Sequence, residues 1–326
     1  MLANMPYANV VKIPPGIRLF NKIADFRAWR RQLLLDSQTL GYVPTMGALH
    51  QGHLALVTSA KSRCDHVALT IFVNPAQFSP TEDLSTYPRT LQNDLNQLAA
   101  LGPGVASAVL VPTVHEMYPG GIELDVTKQK GAFVEVKGLS HQLEGVTRPH
   151  FFRGVATVVS KFLNIVQPEQ VFFGQKDVQQ CSVIKTMIRD LHFPVQMNIC
   201  PTVREQDGLA MSSRNAYLTP SQRQHALVVH KALSTIESLY RQGQRHAPTL
   251  IKAGTDVIDQ ARRQVQADGS IDWDIALDYL AINSPEDLSD ISGDINPQEG
   301  GIVSTAVFVG KTRLIDNLLL DVETVS

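Results

Sequence analysis

At 326 residues the chain is long for one compact unit, and its 44% hydrophobic and 18% charged residues match a globular protein, not a disordered or fibrous one. No apolar run approaches the roughly 20 residues that cross a bilayer. With 29 basic against 31 acidic residues the net charge is −2, so a polyanion meets no global attraction, and neither membrane nor nucleic acid is an expected partner.

In chain order, residues 1–16 lack the apolar core of a secretory signal and carry one basic residue, Lys12, so they read as an N-terminal extension. From there to residue 200, short β-branched runs at 41–45, 66–73, 106–111, 170–173 and 194–199 alternate with helical stretches at 54–63, 90–101, 155–166 and 177–190. That alternation predicts an α/β domain over 17–200 with a Rossmann-like, doubly wound parallel sheet. After Pro201 a loop rich in Asp, Gly and Ser leads to helical stretches from about Ser221 and over 249–266. β-rich segments at 277–282 and 301–309 follow, separated by a Pro- and Gly-containing stretch. Residues 201–326 therefore read as a smaller C-terminal α+β domain. Cys64, Cys181 and Cys200 show no metal-ligand spacing and are odd in number, which suits a reducing, cytoplasmic setting and buried thiols.

Four segments carry chemistry. The run Thr45-Met46-Gly47-Ala48-Leu49-His50-Gln51-Gly52-His53 leaves a strand and enters a helix, where open α/β sheets bind phosphate on unpaired N–H groups. His50 and His53, three apart, put two imidazoles on one face of the first turn, able to hold charge building on phosphorus. Gly52 leaves a gap where a flat purine could approach the backbone. Next, Asn74-Pro75-Ala76-Gln77-Phe78 ends the following strand on the same rim, and Gln77 can both donate to and accept from hydroxyls without adding charge. Third, Gly174-Gln175-Lys176-Asp177 precedes a helix: Lys176 offers a point charge for phosphate, Asp177 an acceptor for ribose hydroxyls, and Gln180 lies one turn on. Last, Ser212, Ser213 and Arg214, in a Gly-containing loop that opens at Thr202-Val203-Arg204, can clamp a triphosphate. Taken singly, each segment also reads as an ordinary cap or polar turn.

The decamer 44–53 resembles the HxGH signature of the nucleotidylyltransferase superfamily, in the form found in the pantoate–beta-alanine ligase family. VNPAQF, FGQKDVQQ, the 202–215 run and a C-terminal signature at 309–317 are similar to the same family in order, so the resemblance runs from about residue 17 to 320. It implies condensation of (R)-pantoate with beta-alanine through a pantoyl adenylate, with ATP as substrate and Mg2+ as its ion. It further implies catalytic His53, His50 and Lys176. ATP contacts are implied at Met46, Gly47, His50, Gly52, His53, Gly174, Gln175, Lys176, Asp177, Val203, Met211, Ser212, Ser213 and Arg214. Pantoate contacts are implied at Gln77, Gln180 and Met46, a metal ligand at Asp94, a C-terminal domain that closes as a lid, and a homodimer. The chain departs from the pattern at Arg148-Pro149-His150-Phe151, where the family's His falls one position later, and at Gln92-Asn93-Asp94, which leaves one carboxylate of an acidic cluster. The rival readings are a nucleotidylyltransferase or lean aminoacyl-tRNA synthetase with the same HxGH string, and a non-catalytic nucleotide sensor. Against them stand the paired amides Gln77 and Gln180, the absence of a basic domain, and four unbroken motifs.

Overall fold

The computed structural model describes residues 11–79 and 84–322. In order, its elements are β1 (Arg18–Phe20), α1 (Ile23–Leu35), β2 (Leu40–Thr45), α2 (Gln51–Lys61), β3 (His66–Ile71), α3 (Leu91–Ala100) and β4 (Ala108–Leu110). There follow α4 (Val114–Met117), α5 (Glu144–Thr147), α6 (Phe151–Val166), β5 (Gln170–Gly174), α7 (Val178–Asp190) and β6 (Gln196–Cys200). The chain ends with α8 (Pro220–His225), α9 (Val228–Arg241), α10 (Ala247–Ala267), β7 (Ile275–Asn283), β8 (Gly301–Val309) and β9 (Thr312–Leu320). Contacts divide it into two units: the described residues up to Phe173 with Val183–Cys200, and Gly174–Ser182 with the described residues from Pro201 on. Among the described residues no helix is long and apolar enough to cross a membrane.

The first unit holds a six-stranded parallel sheet in the order β1-β4-β3-β2-β5-β6. Alternate side chains of each strand serve opposite faces. Val43 and Leu69 pack into one core with Leu54 and Val57 of α2 and Leu95 and Leu98 of α3. On the other face Tyr42 and Phe72 meet Phe162 of α6, with ring centroids 6.3 and 6.0 Å apart, and the Tyr42 hydroxyl bonds Thr70 Oγ1 at 2.8 Å. Burial pushes the Tyr42 hydroxyl far above its ordinary pKa and keeps it neutral. Because both neighbours of β2 are parallel to it and one of them, β5, starts the second half of the winding, the order reverses between β2 and β5. Open sheets place ligand groups outside the carboxyl ends of the strands at that reversal.

Strand β1 and helix α1 of this unit, like the single-turn helices α4 and α5, are not predicted from the sequence. Strand β1 is three residues long. In α1, Arg30 is 1% exposed and occupies a core-facing position where an apolar residue marks a helix face. Its guanidinium bonds the carbonyls of Gln38 (3.4 Å) and Gln167 (2.8 and 3.0 Å) and the carboxylate of Glu169 (2.6 Å), whose other oxygen accepts Leu40 N–H at 2.7 Å.

The second unit contains the antiparallel sheet β7-β8-β9. Helices α9 and α10 cover it through Val229, Ala232, Ile258 and Val265, packed on Ile275, Val307, Val309 and Leu314. The long helix expected from about Ser221 is two: α8, capped by Thr219 and Gln222 with Pro220 in its first turn, and α9. Strand β9 has no counterpart among the predicted strands.

Of the cysteines, Cys64 and Cys181 are buried as expected and Cys200 is half-buried. Burial pushes the Cys64 thiol up to about 11.

Candidate active site

Beyond β2 the chain turns sharply: Gly47 has φ +84° and Ala48 φ +51°. A Cβ at Gly47 would stand 3.0 Å from Ile71 Cγ2 and 3.1 Å from Asp94 Oδ2, so both the angle and the space require glycine. Thr45 Oγ1 accepts Gly47 N–H at 3.2 Å and donates to the Thr70 carbonyl at 2.7 Å, which ties the turn to β3. His50 then stands at the N-cap of α2 with φ −140°, outside the helical turn on which the spacing had placed it. Its Nδ1 accepts Gly52 N–H (3.2 Å), while His53 Nδ1 accepts His50 N–H (3.4 Å), a reciprocal cap that brings the rings to 4.1 Å between centroids. An imidazole whose Nδ1 accepts carries its proton, when neutral, on Nε2. Both histidines are therefore set in the same tautomer by backbone groups of the loop itself.

Beneath this loop lies Asp94 of α3, 0% exposed. Oδ1 accepts Leu49 N–H (2.9 Å) and Thr90 Oγ1–H (3.1 Å), and Oδ2 accepts Ala48 N–H (3.1 Å). Burial pushes its carboxyl above the usual range against the pull of these bonds. A buried carboxylate with both oxygens engaged does not fit a hard cation that keeps its waters, so the magnesium role expected of Asp94 gives way to that of a loop anchor. Nor do the described residues contain any cluster of three or more His, Cys, Asp or Glu suited to a metal ion. Asp94→Asn turns one acceptor into a donor facing a backbone N–H. We expect it to lose about 1–3 kcal/mol in urea unfolding and about tenfold in pyrophosphate release; wild-type values for both would show that the loop stands without this anchor.

Asn74 caps the 3-10 turn Pro75–Gln77 by accepting Ala76 N–H. Its Nδ2 donates to Gln77 Oε1 (2.9 Å) and to the Gly154 carbonyl (3.2 Å), and Tyr118 O–H donates to Asn74 Oδ1 at 2.7 Å. With Oε1 engaged, Gln77 has its amide orientation set by a neighbour. Gly154 makes this possible, since a Cβ there would lie 2.2 Å from the Ala76 carbonyl oxygen. Asn74 belongs to a segment singled out in the sequence, but its partners Tyr118 and Gly154 do not. Tyr118 in particular lies 44 residues from its partner and no local pattern connects them. The shifted histidine, His150, opens α6 exposed at φ +70°. Arg148 lies 3.8 Å over the Phe151 ring and donates to the Gln77 carbonyl at 3.1 Å.

In the second unit, Gln175, Lys176 and Asp177 form a 3-10 turn ahead of α7, and Gln180 sits half-buried in that helix. Asn317 of β9 donates from Nδ2 to the carbonyls of Gln175 (2.9 Å) and Lys176 (2.8 Å) and accepts from Gln175 Nε2 (3.2 Å). Residues 203–211 make a small hairpin in which Arg204 bridges Ala210, Met211 N–H donates to Val203 O and Gly208 turns at φ +99°. Ser212 caps the next turn by accepting Arg214 N–H, and Asn215 bonds Glu205 and the Ala210 carbonyl. Arg204 pairs bidentately with Asp316 at 2.6 and 3.0 Å. Thus Met46, Gly47, Gly52, the two histidines and Asp94 share one loop assembly in the first unit, which also carries Gln77. The 174–177 and 203–214 segments, with Gln180 on the helix that follows the first, belong to the second.

The family model described as pantoate-beta-alanine ligase matches residues 18–319. The chain belongs to the pantoate-beta-alanine ligase family. It is 45% identical over 304 residues to the pantothenate synthetase of Koribacter versatilis, covering 93% of this chain and 96% of that one. To the pantothenate synthetase of Moorella thermoacetica it is 46% identical over 310 residues, 94% and 99% of the two chains. The crystal structure of the Thermus thermophilus pantothenate synthetase superposes with a TM-score of 0.79 at 39% identity, over 92% of this chain and 98% of that one. The Francisella tularensis pantoate-beta-alanine ligase, complexed with beta-gamma ATP and beta-alanine, does so with 0.68 at 30%, over 94% and 99%. The reaction of this pantoate-beta-alanine ligase is the ATP-dependent condensation of (R)-pantoate with beta-alanine to pantothenate, through pantoyl adenylate, releasing AMP and diphosphate.

Proposed function

We propose that the residues of this ligase divide the reaction as follows. A carboxylate oxygen of pantoate attacks the α-phosphorus of ATP, the bond to the diphosphate oxygen breaks, and the electron pair leaves with diphosphate. His53 and His50 meet that charge through their Nε2–H groups, with His53 the donor toward the leaving group. Lys176, Ser212, Ser213 and Arg214 neutralise the remaining phosphate charge. Met46, Gly47, Gly52, Val203 and Met211 contact the nucleotide, as do Gly174 and Gln175, while Asp177 accepts from ribose hydroxyls. Gln77 and Gln180, with Met46, hold pantoate by neutral amides, which leaves its carboxylate nucleophilic. In the second step the beta-alanine amine attacks the acyl carbon, the bond to AMP breaks and the amine gives up a proton. Most of the rate comes from alignment and preorganised charge.

The observation that supports this reading best is the reciprocal cap: His50 and His53 accept backbone N–H groups at Nδ1, so each neutral ring carries its proton on Nε2, the atom this reading turns toward phosphate. Magnesium would enter as the counter-ion of ATP, where it would offset phosphate charge. A homodimer and a cytoplasmic location complete the proposal. The test is pyrophosphate and AMP release from Mg-ATP with pantoate alone and with pantoate plus beta-alanine, the product identified by mass. We expect a single adenylate equivalent with pantoate, and turnover to pantothenate with both. Pyrophosphate release indifferent to pantoate would remove the amide assignments.

A further inference from the structure

We propose that Asp316 and Asn317, neighbours on β9, are positioning residues that hold the 174–177 turn and the 204–214 loop in one geometry, so that the ATP-dependent half-reaction depends on them. The inference rests on reading Lys176 and Ser212–Arg214 as ATP ligands.

Successive residues of a strand point to opposite faces. Asp316 and Asn317 are 3% and 2% exposed, so both faces of β9 bury a polar side chain at this point, and each is taken by a different loop. Asp316 receives both arms of the Arg204 guanidinium, and the same Arg204 donates to the Gly208 carbonyl at 3.1 Å. The ion pair thus grips the hairpin at its base and at its turn, and the hairpin runs directly into Met211, Ser212, Ser213 and Arg214.

Asn317 makes three bonds to two residues, two as donor and one as acceptor. Only an amide offers donors and an acceptor on one short side chain. Its grip on the Gln175 and Lys176 carbonyls has a consequence on the far side of the turn. In a trans peptide the N–H points opposite to the C=O, so the N–H groups of Lys176 and Asp177 are turned away from β9. They point outward at the head of α7, as an anion-binding turn requires. The two anchors are joined directly: Asn317 N–H donates to Asp316 Oδ1 at 2.8 Å, and both residues lie in register with Thr305 and Ser304 of β8. A paired strand is stiff, so the two loops keep one spacing. Stability alone is a weak account of an ion pair whose aspartate is buried and whose guanidinium is half-buried, since well-packed apolar side chains commonly match such a pair.

Asn317→Asp keeps the size and the acceptor but sets a carboxylate against two carbonyls; Asn317→Ser removes the reach with less repulsion; Asp316→Asn loosens Arg204. In the full-length protein we would measure two half-reactions and thermal stability. One is pyrophosphate release from Mg-ATP and pantoate; the other is pantothenate formation from supplied pantoyl adenylate and beta-alanine. For all three variants we expect kcat/KM for ATP in the first to fall by about 10²-fold, the loss typical of a misplacement near 1 Å, with KM for pantoate and the second half-reaction within about threefold. Arg313→Gln, which removes the pair between Arg313 of β9 and Asp278 of β7, should leave both intact. Parallel losses in both half-reactions, or losses that track the melting temperature across the set, overturn the proposal and make β9 structural only. Normal adenylation in Asn317→Ser and Asp316→Asn overturns it as well, and Lys176→Ala then tells where the fault lies. An inactive Lys176→Ala leaves the ATP reading standing without the β9 role; an active one removes both.

Discussion

His53→Ala is expected to slow pantoyl-adenylate formation by about 10²–10³-fold, the usual cost of removing one donor aimed at developing charge, while the protein stays folded. The difficulty is that His53 also serves the helix: its Nδ1 accepts His50 N–H, and losing a cap costs about 1 kcal/mol. Two substitutions separate cap from chemistry. Gln at the third helical position is the natural partner in a capping box, and Asn is among the best N-cap residues. His53→Gln and His50→Asn should therefore keep the unfolding midpoint of the wild type and still lose adenylation, His53→Gln nearly as much as His53→Ala. Single-turnover pyrophosphate release with pantoate is the measurement. Retained rates in both capped variants would confine the histidines to holding the loop.

Arg30→Ala should do the reverse, costing about 3–5 kcal/mol of stability with adenylation per folded molecule unchanged. Removing the guanidinium strands the carbonyls of Gln38 and Gln167 and leaves Glu169, 39% exposed, with only Leu40 N–H. Because Glu169 keeps contact with water, the loss belongs at the lower end of that range. The network clamps the start of β2, and Thr45, where the loop bearing His50 and His53 begins, lies five strand steps or roughly 17 Å away. Urea unfolding and the same pyrophosphate assay, run on one preparation, read both quantities. A midpoint equal to the wild type would mean that water replaces the guanidinium; a fall in activity without a fall in stability would mean the clamp reaches the loop.

Much of the candidate site was legible because its motifs are local. A strand end, a glycine turn and a helix start lie within nine residues at 45–53, and the same sequence of events recurs at 173–180, so periodicity and resemblance found them together. The central strands and α2, α3, α6 and α7 were found for the same reason. Their termini shifted by a few residues where caps such as His50 decide the boundary.

The two longest elements that escaped, β9 and α1, share one cause. Strand β9 carries Thr312, Asp316 and Asn317 at buried positions, and α1 carries Arg30; a polar residue facing inward erases the alternation by which a strand or helix face is recognised. Each of Asp316, Asn317 and Arg30 is satisfied by a partner far along the chain: Arg204 for Asp316, Gln175 and Lys176 for Asn317, Gln167 and Glu169 for Arg30. The anchoring role of Asp94 escaped for the same reason, since its spacing in the helix says nothing of the Ala48 and Leu49 N–H groups 46 and 45 residues earlier.

The sequence by itself determined the family, the reaction, the parallel α/β sheet and the chemical types gathered at each motif. These rest on local geometry and on residue chemistry, which the order of amino acids carries directly. Only the tertiary structure decided which side chains hold the loops that carry the motifs, which nitrogen of each histidine is committed, and that Asp94 anchors a loop. Those facts depend on hydrogen bonds, most of them between residues distant in the chain, whose partners become neighbours only when the sheet and its helices are packed.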